Sequence, residues 1–486
     1  MRHQRPRAGL EWLSLSYFLY SLLLALAMLL SLPYWLYQIL RHGKYRTGLA
    51  ERLGRVPSRL VANEASVAEP QRNSNSAVPA AVAGACPELA EGASRPSSRV
   101  IWIHAVSLGE VLAISGLVEQ MRRDFTHHRI LVSTTTDTGQ SLARKRFGEE
   151  NVFYFPMDFA FAIRPYLRAL QPEIVILAET EFWPNFLRLA HASGARIAVV
   201  NARISDRSWP NYRRFRWALR KMLVQVDLFL AQTQEDGARL QSIGADPSRV
   251  QVTGNLKFDI SLPPTPPIVE SLRQSLVSKH AGPVLVCGST VEGEEPLLLK
   301  AFENLRVAHP RAVMILAPRH PERFDEVAIL VRQLGIPSFR RSQWQEEPLA
   351  GAVLLVDSIG ELAALYGLAD VAFVGGSLVP RGGHNIIEPA QHGVAIVTGN
   401  HTENFRDIVA LFQSRDAVRI VGMAELPLTL MHLLANDAER RALGRRAQET
   451  VRSQMGATSR TLRALKTLIT ADRDPRPASA QAAHTD

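Results

Sequence analysis

From residue 99 onward, short apolar runs alternate with longer amphipathic stretches. The runs are VIWIHAV (100–106), RILVSTT (129–135), VFYFP (152–156), EIVILAE (173–179), RIAVVNA (196–202), VDLFLAQ (226–232) and VQVTG (250–254). A Pro-rich stretch, 261–282, then breaks the rhythm with SLPPTPPIVE. It restarts with PVLVCGS (283–289), AVMILAP (312–318), AVLLVD (352–357), DVAFVGGS (370–377), VAIVTG (394–399) and AVRIVG (417–422). Runs that are apolar throughout predict strands covered on both faces, and therefore parallel sheets with helical crossovers. Residues 423–470 read as helical and 471–486 as a polar tail. The pattern predicts an α/β protein with two doubly wound, Rossmann-like domains facing a cleft. They cover 99–260 and 283–470, with 261–282 as linker. Ligands of such sheets bind beyond the carboxyl ends of the strands.

The first 98 residues depart from this rhythm. Trp12 to Leu40 carries no charge, and about 20 apolar residues suffice to span a bilayer. Tyr17, Tyr20, Tyr34, Trp35 and Tyr37 lie toward its ends, where aromatic rings favour the interface. The stretch is too long for a cleaved signal peptide, and no small-residue cleavage site precedes RHGKYR. It reads as an uncleaved anchor helix, spanning or monotopic. The flank Arg41 to Arg59 has the larger basic excess. Both flanks are basic, so charge alone leaves the topology open; the larger excess favours the cytoplasmic side for the following domains and adds attraction to anionic head groups, about 1 kcal/mol per cation. Residues 1–60 are thus read as anchor and juxtamembrane segment. Residues 61–98, rich in Ala, Ser, Pro and Glu, read as a flexible insert.

Charge sharpens the picture. The chain of 486 residues carries +10. Residues 1–60 hold nine Lys/Arg against Glu11 and Glu51, or +7, which leaves +3 for the rest. That balance argues against a nucleic-acid-binding body, whose binding would be steeply salt-dependent. Two cysteines, Cys86 and Cys287, make neither a disulfide framework nor a zinc site.

Several strand ends carry chemistry. HAVSLGE (104–110) follows the first strand. Its Ser107-x-x-Glu110 spacing reads first as a helix capping box. The functional alternative is that Gly109 leaves room for a ligand and Glu110 serves as a general base. AETEFWPN (178–185) puts Glu179 and Glu181 at a strand mouth, with Trp183 either core or site. Lys257, in TGNLKFDI (253–260), is either a solvated cation or a partner for phosphate or carboxylate. In the second domain, GSTVEGEE (288–295) brings small residues to a helix start, where amides can approach an anion. Arg319, in APRHPERF (317–324), can hold phosphate in bidentate fashion. SLVPRGGHNIIEPAQHG (377–393) sets Gly382 and Gly383 before His384, Asn385 and Glu388. Glycines there suit a phosphate, and a carboxylate one turn later suits ribose hydroxyls. No Walker A, GxGxxG, metal-ligand spacing or strand-end DxD occurs. A nucleoside monophosphate leaving group fits that, because it needs less charge compensation than a diphosphate. An anchored pair of such domains points to a GT-B glycosyltransferase acting on a lipid, although sugar-nucleotide epimerases share the build.

These segments, with NARISDRS (201–208), QTQEDGARL (232–240), DSIGELAALYGLADVAFVGGSLVPRGGHNIIEPA (357–390) and the juxtamembrane YRTGLAERLGR (45–55), closely resemble 3-deoxy-D-manno-octulosonic acid (Kdo) transferases of lipopolysaccharide biosynthesis. The resemblance runs from the anchor to about residue 470. It implies an inverting GT-B enzyme that uses no metal or cofactor. Such an enzyme moves Kdo from CMP-Kdo to the acylated disaccharide precursor of lipid A at the inner membrane. By the same resemblance Glu110 is the proton acceptor, and Glu179 and Lys257 stabilise the transition state. CMP contacts fall on Pro318 and Arg319, on Ile359, Gly360 and Glu361, and on Asn385, Ile386, Ile387 and Glu388. Relatives often have Pro-Leu where this chain has Ile386-Ile387, a change expected to spare main-chain contacts. The insert at 62–98 is the main departure and touches no motif. Competing expectations are a soluble epimerase, a GT-B enzyme with another donor and a polyprenyl acceptor, and a nucleotide-binding scaffold without turnover.

Overall fold

The computed structural model describes residues 17, 19–33, 37, 47–61, 99–206, 208–260 and 264–471. The insert from 62 to 98, the tail beyond 471, the two ends of the expected anchor and residues 41–46 of its basic flank lie outside the described residues. The chain forms two units, Met1–Ile260 with Gly456–Asp486, and Ser261–Met455.

The first unit is built on seven strands: β1 (Arg99–His104), β2 (His128–Thr134), β3 (Val152–Tyr154), β4 (Pro172–Ala178), β5 (Arg196–Ala202), β6 (Leu228–Ala231) and β7 (Val250–Val252). Their order is β3-β2-β1-β4-β5-β6-β7, and every pairing is parallel. The seven expected runs all became strands; β2 to β6 are largely buried, while the edge strand β7 is mostly exposed. In β1, Trp102 packs into one core while Ile101 and Ile103 pack into the other. Trp102 is fully buried among Phe153, Phe155, Tyr166 and Phe186. Truncating such a residue to alanine costs about 3–5 kcal/mol.

The second unit repeats the plan with β8 (Val284–Thr290), β9 (Val313–Pro318), β10 (Ser338–Arg340), β11 (Val353–Leu355), β12 (Val371–Val374), β13 (Ala395–Gly399) and β14 (Arg419–Val421). The order is β10-β11-β9-β8-β12-β13-β14, again all parallel. Strand order reverses between β1 and β4 in one sheet and between β8 and β12 in the other. These reversals are the switch points where doubly wound sheets bind ligands.

Four features differ from the sequence reading. The second unit ends at Met455, not residue 470. The helix Ala457–Thr470 turns its Ala457, Leu462, Leu465 and Ile469 into the first unit's core, and Lys466 pairs with Asp124 at 2.8 Å. The expected linker contains the helix Pro267–Ser278, whose Val269, Leu272 and Leu276 are buried. The edge strand β10 lacked a readable pattern, because all three of its residues are only half-buried.

The fourth difference is that residues 47–61 fold onto the first unit. Arg52 lies over the Tyr154 ring and donates to Thr135 O at 2.6 Å. Arg59 reaches Glu51 at 2.8 Å and Val152 O at 3.1 Å. These two cations, expected to face lipid, are committed to protein partners.

Residues 19–33 form a helix whose leucines are largely exposed, Leu29 by 65% and Leu30 by 74%. Its base is pinned where Ser21 Oγ accepts from Asn185 Nδ2 at 3.0 Å and Tyr17 Oη accepts from Gln225 Nε2 at 2.8 Å. Among the described residues no helix is long and apolar enough to cross a membrane.

Candidate active site

In the first unit the candidate carboxylates gather at the switch point. After β1 the chain turns at Ser107, which caps the helix Leu108–Asp124 by accepting from Glu110 N–H. The Glu110 side chain doubles back, so that Oε2 accepts from Val106 N–H and Oε1 from Ser107 Oγ, both at 2.8 Å. Half of the expected capping box is thus present: Ser107 caps the helix, while the Glu110 carboxylate reaches the Val106 amide rather than that of Ser107. Glu110 is only 8% exposed. Burial lifts its pKa to about 7; the nearby charges of Glu179 and, less strongly, Glu181 add to the rise, while the Val106 and Ser107 hydrogen bonds oppose it. A Cβ on Gly109 would meet only Ser107 Oγ, at 3.9 Å, so the space beside it is open.

Glu179 begins the loop after β4 with a left-handed backbone, φ 56°. Its N–H donates to Val200 O at 2.9 Å. Thr180 Oγ1 holds the turn by donating to Arg203 O at 2.7 Å. A non-glycine residue in this conformation is strained, and such strain concentrates at functional sites. Glu181 follows, and burial, then the Glu179 charge, raises its pKa. Trp183 is half-buried and packs against the core beside Phe155, as its core reading requires.

Lys257 approaches from the loop after β7 and places Nζ 3.5 Å from Glu179 Oε1. Its short 3-10 turn, Leu256–Asp259, is fixed from several sides. Asn255 Oδ1 accepts from Lys257 N–H at 3.0 Å, and Asn201 Oδ1 accepts from Leu256 N–H at 3.0 Å. The Asp259 carboxylate accepts from Gly456 N–H at 2.7 Å and Thr458 N–H at 2.5 Å. Asn201 was not singled out in the sequence. Its signal is an asparagine closing an apolar strand, a residue type that tolerates the left-handed region where it sits, φ 54°.

Beneath these groups His104 is fully buried and stacked on Phe155, with centroids 3.8 Å apart. Its Nδ1 lies 3.0 Å from Ser133 Oγ, which also accepts from Trp102 Nε1 at 2.8 Å. Burial lowers its pKa to about 3. It is a neutral structural histidine.

The second unit brings Arg319, His384, Asn385 and Glu388 together. Pro318 ends β9 in the core, and Arg319 follows it exposed, anchored by its N–H to Thr290 O at 2.8 Å. Burial, then the positive charges of Arg319 and His320, lower the His384 pKa to about 4. Burial raises that of Glu388, against the Asn385 hydrogen bond and the Arg319 charge. Asn385 Nδ2 donates to Glu388 Oε1 at 3.2 Å. Gly382 and Gly383 have φ of 86° and 74°, and side chains there would strike Asn404 and His401 O. Ile386 and Ile387 are buried, so their side chains point into the core.

The turn after β11 holds the third group. Ile359 is 79% exposed and Gly360 has φ 96°. The Glu361 carboxylate is gripped by Arg341, Nε to Oε2 at 2.8 Å and Nη2 to Oε1, and by Ser358 Oγ. Arg341 too was not singled out in the sequence.

A large cavity lined by described residues lies elsewhere. It opens beside Arg99, Pro172 and Arg196, at the amino ends of β1, β4 and β5. No candidate residue lines it.

Residues 48–260 match the family model described as 3-deoxy-D-manno-octulosonic-acid transferase (kdotransferase). The chain is 35% identical over 378 residues to 3-deoxy-D-manno-octulosonic acid transferase of Haemophilus influenzae, covering 77% of this chain and 88% of that protein. It is 37% identical over 392 residues to the transferase of the same name from Bordetella pertussis, with the same coverages. Among solved structures, a putative UDP-N-acetylglucosamine 2-epimerase from Listeria monocytogenes superposes with a TM-score of 0.52 at 15% identity. The match covers 78% of this chain and 98% of that one, and shows a shared fold.

Proposed function

The chain belongs to the 3-deoxy-D-manno-octulosonic acid transferase family and is a glycosyltransferase, and from that premise we propose that it transfers Kdo from CMP-Kdo to the acylated glucosamine disaccharide precursor of lipid A. Glu110 is the general base. It takes the proton of the acceptor hydroxyl as that oxygen bonds to the anomeric carbon. The bond from that carbon to the phosphate oxygen breaks, CMP leaves with the electron pair, and configuration inverts. The observation that carries this reading is the Glu110 carboxyl buried at the carboxyl end of β1, near enough to Glu179 and Glu181 for their charges to add to the rise that burial gives its pKa, a setting that suits a base working at neutral pH.

Glu179 and Lys257 stabilise the transition state as a pair, the lysine holding the glutamate in place. Arg319 and main-chain amides meet the charge of the departing phosphate, so the reaction needs neither metal nor bound cofactor. Pro318, Ile359 to Glu361 and Asn385 to Glu388 frame the nucleotide. With the Ile386 and Ile387 side chains in the core, contacts from this pair fall to its main chain, of which Ile387 N–H is already held by Asn385 Oδ1 at 3.1 Å.

Two observations support a lipid acceptor and attachment to the cytoplasmic face of the inner membrane. The apolar helix 19–33 is exposed. Phe215, between the helices Trp209–Arg214 and Arg216–Leu223, and Trp217, on the second, are also exposed, by 52% and 66%, and these helices carry Arg213, Arg214, Arg216, Arg220 and Lys221. Aromatic rings interleaved with cations suit an anionic interface.

The test is a mass-spectrometric assay. Detergent-solubilised protein is mixed with tetraacylated lipid A precursor and CMP-Kdo generated in situ, beside Glu110→Ala. Product heavier by whole Kdo units, absent in the variant, is expected. No mass shift from folded, CMP-binding protein would move the assignment to another lipid glycosyltransferase. Full activity of the variant would remove Glu110 as base.

A further inference from the structure

Glu294 follows β8 and is fully buried. Its carboxylate accepts from main-chain groups. Oε2 takes Val291 N–H at 3.1 Å and Gly376 N–H at 2.7 Å. Oε1 takes Ser377 N–H and Leu378 N–H, each at 2.9 Å. Residues 376–378 follow β12, the neighbour of β8 across the switch point. One carboxylate thus fastens the two loops that flank the point where this sheet is built to bind a ligand. The fit is close. A Cβ on Gly375 would stand 2.7 Å from Glu294 Oε2 and 2.7 Å from Ser289 O.

The fastened loop in turn carries the nucleotide segment. Gly376 O accepts from Gly383 N–H at 2.7 Å. A side chain on Gly376 would meet His384 Nε2 at 2.7 Å, so the imidazole lies flush against it. Ser377 O accepts from His401 N–H at 2.9 Å, and Ser377 Oγ accepts from Gly399 N–H at 2.8 Å. Hydrogen bonds therefore run from Glu294 through 376–378 to Gly383, beside Asn385 and Glu388.

We propose that Glu294 is a positioning residue for the donor nucleotide: its carboxylate locks the loop 376–378 as the template on which residues 382–388 are held in their ligand-binding conformation. This rests on the reading of 385–388 as donor contacts. A carboxylate is needed because it is acceptor on both oxygens, whereas a glutamine turns an NH2 toward two of the amides. Those amides are left without an acceptor and the loop loosens.

The experiment uses the full chain in detergent with Glu294→Gln. The expected result is a donor KM and a CMP Kd at least 10-fold weaker, with acceptor KM unchanged and kcat at saturating donor within about threefold. A merely structural loss would lower kcat and leave donor KM alone, and that outcome overturns the proposal. Hydrogen exchange gives a readout independent of the substrate. Amides 376–378 and 383 exchange slowly in the wild type, and all exchange faster in Glu294→Gln. Unchanged protection at 382–388 in the variant overturns the proposal even if the wild type binds no CMP, which would refute only the donor reading. Should Glu294→Gln fail to fold, Glu294→Asp keeps the charge but withdraws the carboxylate by one methylene from the amides of Gly376, Ser377 and Leu378, and is read in the same way.

Discussion

Lys257 Nζ stands 3.5 Å from Glu179 Oε1, although 78 residues separate them in sequence. They meet because Glu179 leaves the carboxyl end of β4 and Lys257 that of β7, in one parallel sheet. The Glu179 charge is also among the forces that lift Glu110 toward a pKa of about 7. On the proposed reading the lysine would act on Glu110 at one remove, by offsetting the Glu179 charge.

Removing Lys257 and removing the Glu179 charge should shift the base in opposite directions. In Lys257→Met the unneutralised Glu179 pushes the Glu110 pKa higher. In Glu179→Gln the pKa falls. The rising limb of kcat/KM against pH, near pH 7 in the wild type, should move up in the first variant and down in the second, each by roughly half a unit to one unit. Both should also lose about 10²–10³-fold in kcat. Limbs that coincide in all three proteins would separate the pair from the base.

Glu110 should be costly to the fold at high pH. Its folded pKa, about 7, lies above the unfolded value of 4.5. Between those values the folded state binds more protons than the unfolded state, so stability falls as pH rises through the window and stays lower above it. A shift of that size corresponds to an order of 3 kcal/mol. Glu110→Gln keeps an acceptor for Val106 N–H and removes the buried charge. It should raise Tm by several degrees at pH 8, little at pH 5, and abolish transfer. Thermal melts at the two pH values check this; equal Tm differences at both would contradict the assigned protonation.

Asn201→Ala should act on Lys257 without touching it. The substitution strips the acceptor from the buried Leu256 N–H and puts alanine at φ 54°, where it is disfavoured. Losing a buried hydrogen bond costs about 1–3 kcal/mol. The expected kinetic effect is a fall in kcat of about tenfold with donor KM unchanged. Steady-state kinetics on folded variant would show it, and an unchanged kcat would mean that the turn holds Lys257 without Asn201.

The strands were legible because parallel strands buried on both faces leave continuous apolar runs. The half-buried Ser338–Arg340 left none. Local periodicity identified Ala457–Thr470 as helix but could not say which sheet it covers. That is decided by Leu462 and Leu465 finding the core around Ile101 and Ile103 and by Asp259 receiving the helix start. At Glu110 the spacing suggested either a cap or a base, and spacing alone does not show that the carboxylate turns back to Val106 N–H and Ser107 Oγ. The left-handed backbone of Glu179 had no signal, since glutamate is not a residue type that announces it. Arg52 and Arg59 read as lipid-facing cations because sequence gives charge but not the Tyr154 ring or the Glu51 carboxylate that hold them.

Arg341 offers a test of the nucleotide frame that leaves every assigned contact residue in place. Its guanidinium grips Glu361 through two nitrogens, while Ser358 Oγ holds the same carboxylate. Side-chain exposures of 23% and 14% mean that water screens the pair only partly. A lysine keeps the charge but cannot reproduce the planar fork, so Arg341→Lys should rotate Glu361 without unfolding the turn. Hydrogen bonds to charged groups contribute about 1.5–3 kcal/mol, which corresponds to about 10–100-fold in affinity. CMP titration should show weakening toward the lower end for Arg341→Lys and toward the upper end for Arg341→Ala, with Tm within a few degrees of wild type for the lysine variant. Wild-type CMP affinity in both variants would remove the Ile359–Glu361 turn from the nucleotide site and leave Arg319 and the segment 385–388 to hold the donor.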